Sequence, residues 1–206
     1  MTRTPALLAA LFATSAAAQT FAPFKMVHAP YPIYIDGNFS AAGPIANVEV
    51  DVQAAINAWN GAPGSYARWT YAGRATPPTF PPTMAATKDT NDKFSVAALF
   101  VTQTNDPYYN YALGGGQLIS SAVPLTYAGQ LYACDIFLNA VGINWVSGNL
   151  PVISTTASVQ TFVAHDLGRC MGITDYPNDL NGIMWDQTLG TKKLPIAADF
   201  QLLAAA

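Results

Sequence analysis

Ionisable groups are scarce in this chain. Only 10% of its 206 residues are Asp, Glu, Lys or Arg, and only 2 are histidine. Glutamate occurs once, as Glu49. A metal site built from three histidines is excluded by count alone. The basic residues never cluster: Lys192-Lys193 is the longest run, and 9 Lys and Arg stand against 12 Asp and Glu. Nucleic acid and anionic membrane are poor partners for such a surface. Cysteine is equally sparse. Cys134 and Cys170 form no CxxC, which excludes a cysteine-based zinc site, and one bridge or two buried thiols fit the count equally well. Long apolar runs are also missing. The run Ala6 to Ala13 is far shorter than the roughly 20 residues that span a bilayer, and no later segment is long enough.

What is present is a core. Hydrophobic residues make up 51% of the chain, enough for one sizeable domain. The first residues stand apart from it. A basic start containing Arg3, the apolar run, and then Ala16-Ala17-Ala18 read as a secretory signal over 1–18, cleaved near Ala18. The mature chain, 19–206, then begins near Gln19 as a single domain in an extracellular or periplasmic compartment. Loss of Arg3 takes the net charge one unit below the −3 of the whole chain. Export makes a disulfide chemically possible.

The patterning alternates strands and helices. Tyr31 to Asp36 alternates and is bounded by Gly37-Asn38, which predicts a strand. Val48, Val52, Ala55, Ile56 and Trp59 recur at helical spacing and predict an amphipathic helix over about 46–60. A strand is expected at Tyr66 to Tyr71, then a proline- and threonine-rich loop over 74–92. Further strands are expected at Phe94 to Thr102, at about 117–123 after Gly114-Gly115-Gly116, and at Leu131 to Leu138. Ser154-Thr155-Thr156 can cap a helix of about 155–171 that Gly172 closes, and a short helix follows near 196–204. This order implies an α/β (α+β) domain, a mixed sheet packed on helices.

The chemistry concentrates in His165-Asp166-Leu167-Gly168-Arg169. Residues four apart on a helix share a face, so His165 and Arg169 point the same way. In the zinc-protease motif HExxH, two histidines at that spacing hold the metal, and the glutamate activates water. Here Asp166 stands for the glutamate and is one methylene shorter. That withdraws the base by about 1.5 Å, and misplacement of about 1 Å can cost on the order of a hundredfold in rate. Arg169 stands for the second histidine. Its guanidinium has no lone pair for zinc and stays protonated.

The stretch resembles the signature of the matrixin-type metzincin metalloproteases, HExxHxxGxxH with a following Met-turn. His165 matches the first metal ligand, Asp166 the catalytic glutamate, Gly172 the glycine and Asp175 the third ligand. Asn181-Gly-Ile-Met184 resembles the Met-turn, and Leu194 to Asp199 the start of the closing helix. Ala54 to Asn60 looks like the family's first helix, and Cys134 to Asn139 like the strand beside the active-site helix. The resemblance covers roughly residues 27–204. An aspartate as third ligand is similar to the snapalysin-like secreted proteases, and carboxylate oxygen is a legitimate zinc ligand.

The resemblance implies a mostly parallel twisted sheet on two long helices with a short C-terminal helix. It implies a zinc endopeptidase acting on proteins or peptides, with His165 and Asp175 on the metal, Asp166 as base and Met184 beneath. The residues as they stand imply an impaired or inactive copy, because Arg169 cannot ligate. Two further outcomes follow. Arg169 can act as a built-in cation that pairs with Asp175 and with Asp166. The chain can also be a non-catalytic peptide-binding module, with the Gly114–Val123 region as groove edge and Tyr108, Tyr109 and Tyr111 near it. His28 and Tyr176 are the remaining side chains able to approach the site; a surface imidazole and a packed aromatic are their plainer readings.

Overall fold

Local sequence signals account for most of the elements seen in a computed structural model of the chain. Its described residues are 25–26, 30–36, 48–62, 67–75, 96–128, 130–148, 156–173 and 182–184. They form a mixed structure of α-helix and β-sheet. The strands are β1 (Lys25–Met26), β2 (Tyr31–Asp36), β3 (Trp69–Ala75), β4 (Val96–Val101), β5 (Ser120–Tyr127), β6 (Gln130–Asn139), β7 (Asn144–Val146) and β8 (Thr156–Ser158). The helices are α1 (Val48–Asn60), α2 (Pro107–Tyr111) and α3 (Val159–Cys170), and Gly114–Gly116 makes a 3₁₀ turn.

The main sheet runs β3-β2-β4-β6, with every neighbouring pair parallel. β1 lies parallel to the first two residues of β6, ahead of the stretch from Cys134 that β4 occupies. β5 is the exception: it runs antiparallel to β6, and among the described residues it pairs with nothing else. It is therefore an edge, which is where a strand tolerates Pro124 and its missing N–H. A smaller parallel pair joins β7 and β8.

α1 forms as the spacing predicts. Val48, Val52, Ala55, Ile56 and Trp59 are all buried against the sheet. α3 is buried almost all round: Thr161 to Gly168 and Cys170 are covered, and only Gln160 and Arg169 are partly open. It packs against α1, and the Trp59 indole Nε1 donates 2.6 Å to the carbonyl of Ala164. On the other face of β6, Phe137 stacks on Tyr108 of α2, with centroids 4.6 Å apart. Val101, Ala112 and Leu113 complete that second cluster. β6 is thus sandwiched, which is why its residues from Ala133 to Asn139 are buried without alternation.

Several boundaries move for identifiable reasons. β3 begins at Trp69, three residues later than expected, because Asn60 clamps it. The Asn60 amide donates 2.8 Å to the Trp69 carbonyl and accepts from its N–H at 2.9 Å. β3 then runs on to Ala75, past a bulge at Gly73, whose φ is +101°. β5 begins at Ser120, because Gly114, Gly115 and Gly116 all take positive φ and consume the chain in a turn. α3 begins at Val159 and not near 155. Thr156–Ser158 is held as a strand by β7, and the Ser158 hydroxyl accepts from the Thr161 N–H at 3.2 Å to cap the helix. β1 and β7 are additional to the expected elements, and so is α2. It had a signal in Asp106-Pro107, a cap followed by proline at the first helical position, and the Asp106 carboxylate does accept from the Tyr108 N–H at 2.9 Å. The loop expected over 74–92 loses Arg74 and Ala75 to β3, and the rest of it lies outside the described residues, as does the expected helix near 196–204.

Candidate functional site

The site is built around the last two turns of α3. Gly172 ends the helix with φ +88°. Its N–H donates to the Arg169 carbonyl at 2.9 Å, and the Ile173 N–H donates to the Gly168 carbonyl at 3.0 Å. This paired closure is the Schellman arrangement, and it needs the left-handed residue that glycine supplies. The predicted stop is therefore seen in hydrogen-bond detail.

His165 and Asp166 sit inside the protein. His165 is 4% exposed and Asp166 0%. The His165 Nδ1 lies 3.3 Å from the Asp166 Oδ1. The second carboxylate oxygen, Oδ2, is buried and has no hydrogen-bond partner among the described residues. A buried carboxylate half-satisfied in this way weakens the fold. Arg169 follows one turn after His165 and is partly exposed. The expected pairing of Arg169 with Asp166 is not the contact this carboxylate makes; its described partner is His165.

Gly168 is the tight point. A methyl group added at Gly168 would overlap the Met184 Sδ and come within 2.8 Å of the Trp59 ring. Met184 is fully buried, as are Ile183 and Leu167. Met184 thus lies directly against the helix that carries His165. The local sequence places His165, Asp166 and Arg169 together. Only the tertiary structure brings Met184 and Trp59 to them, and Trp59 carried no signal beyond its place on the α1 core face.

Cys170 is not available as a ligand. It is joined to Cys134 of β6 by a disulfide, so the question left open by the cysteine count resolves as one bridge. Asp175, Tyr176 and His28 lie outside the described residues. Tyr108 does not line a surface; it is buried on Phe137. Tyr109 is half-buried, its hydroxyl end against Gly116, and Tyr111 is half exposed. Glu49 is remote from the site. It pairs with Arg74 on β3. Its modest burial pushes its pKa up, but hydrogen bonds from its own backbone N–H and from Arg74, with the Arg74 charge, hold it below the usual glutamate value.

Comparison with known proteins adds no assignment. No protein-family model matches this chain, and no curated protein matches its sequence.

Zinc does not fit the described residues. The donors on α3 are the adjacent pair His165 and Asp166, which face each other. Arg169 offers no lone pair, and both cysteines are consumed in the bridge. Among the described residues no group of three His, Cys, Asp or Glu side chains converges. Asp166, the expected general base, is wholly buried. What the pair can do is orient the imidazole.

Proposed function

We propose that this is an exported protein with a matrixin-like fold whose hydrolytic centre has been lost, and that it holds extended protein or peptide segments without cutting them. One observation carries this reading. On the helix that would grip zinc, the position one turn after His165 is Arg169, and the neighbouring sulfur is closed in a bridge. A fixed guanidinium there opposes a divalent cation.

Three features support the matrixin-like part. The sheet is parallel except for one antiparallel edge strand, β5. The two longest described helices, α1 and α3, pack on it together. Met184 lies against Gly168 beneath the candidate helix. The binding part is supported by β5, whose outer edge is unpaired among the described residues. Extended peptides add to such edges through main-chain hydrogen bonds, and Pro124 removes one donor from the row. Export is supported by the leader-like residues 1–18 and by a disulfide, a bond that persists in oxidising compartments. No helix among the described residues is long and apolar enough to cross a membrane.

The test is zinc stoichiometry of the purified protein after dialysis against trace zinc, with hydrolysis of a denatured protein substrate measured alongside. We expect a metal ratio near zero, no cleavage, and retained binding of an unfolded substrate. A ratio near one together with chelator-sensitive cleavage would restore the endopeptidase reading, with Asp175 and a further ligand completing the site.

A further inference from the structure

The last turn of α3 is fastened at three places, and none of them uses a metal. Gly168 is locked against Met184 and Trp59. The Gly172 and Ile173 amides close the helix on the Arg169 and Gly168 carbonyls. Cys170 is bonded to Cys134, in the middle of β6. The first two are packing and main-chain contacts that form whenever the chain folds. The third depends on conditions.

The bridge leaves the helix beside the position that should have held metal. Arg169 is the failed ligand, and Cys170 is the next residue. Its side chain leads the other way, into the sheet, where both cysteines are fully buried. Cys134 lies on β6, an inner strand that pairs with β4 and with β5. The bridge therefore ties the candidate helix to the strand that positions the β5 edge. A metal held by residues of α3 and of the segment after Gly172 would restrain the same turn of helix.

We propose that the Cys134–Cys170 bridge replaces a metal as the fastener of α3 on the sheet, so that folding and edge binding depend on oxidation and not on zinc. This rests on the reading that the zinc centre is lost. Formation of the bridge removes two electrons and two protons from the Cys134 and Cys170 thiols. A small disulfide such as oxidised glutathione accepts them and leaves as two thiols. The closed loop spans a sequence separation of 36, long enough for the cross-link to restrict the unfolded chain strongly.

The experiment compares thermal melts of the mature protein under three conditions: oxidised, oxidised with excess EDTA, and as the double variant Cys134→Ala/Cys170→Ala. EDTA should leave the midpoint unchanged. The bridge-free variant should melt roughly 10 °C lower. A variant melting within about 2 °C of the parent overturns the proposal, and so does a drop with EDTA as large as that of the variant. If the variant does not fold, the native protein is reduced in mild urea and followed by hydrogen exchange. Faster exchange in α3 before the rest of the sheet supports the proposal; exchange that stays slow in α3 after the bridge is reduced overturns it. Zinc uptake by the bridged protein sinks the functional reading, whereas bridge-free stability sinks this inference alone.

Discussion

At the scale of single residues, Gly168 is the most constrained position of the candidate site. Its missing side chain lets Met184 and Trp59 meet the helix. Gly168→Ala should lower stability by about 3 kcal/mol, because an added methyl in a close-packed contact forces neighbours off their rotamers. A urea melt measures it, and a loss under about 0.5 kcal/mol would mean that Met184 can move aside. An exposed helical glycine would respond in the opposite direction, since alanine is the better helix former. The sequence showed Gly168 only as a letter between Leu167 and Arg169. Nothing local distinguishes a packing glycine from a tolerated one, because the atoms that exclude a side chain come from residues 59 and 184. The burial of Asp166 was hidden for the same reason. Its neighbour His165 was visible, but the wall around both is assembled from other elements.

At the scale of elements, the legible features were those written in short spacing. The α1 stripe, the β6 run and the Gly172 stop were each readable from a few adjacent residues. Each depends on a period or on a single backbone preference. The start of α3 was not readable. Several Ser and Thr residues compete for the cap, and the pairing of β8 with β7 decides among them. Ser158 then does two jobs: its oxygen accepts from the Thr161 N–H, and its hydroxyl donates to the Gly148 carbonyl. Ser158→Ala should therefore cost about 2 kcal/mol, the upper end for a lost cap, with a partly buried carbonyl left short of a donor. The readout is again a denaturant midpoint. A loss confined to a few tenths of a kcal/mol would show that another group takes over the cap.

At the scale of the molecule, β6 joins the parts. One face contributes Cys134, Ile136 and Leu138 to the cluster that includes α1 and α3, and Phe137 on the other face carries the α2 cluster. Two layers that share one strand should unfold together. Phe137→Ala should cost about 4 kcal/mol while the melt stays a single transition by fluorescence and circular dichroism. Separate transitions would show that the α2 layer is an independent unit.

The sequence by itself determined the order of β2, α1, β3, β4, β5, β6 and α3, the scarcity of metal donors and the identity of the residue one turn after His165. These are properties of composition and of spacing over four residues or fewer, so no partner from elsewhere is needed to fix them. Only the tertiary structure decided that Cys134 and Cys170 meet, that Met184 and Trp59 close on Gly168, and that Asp166 faces its neighbour inside the core. The first two join residues far apart in the chain, and the third depends on the elements that wall in two adjacent residues. Their contact depends on how helices and sheet stack, which local preference does not encode.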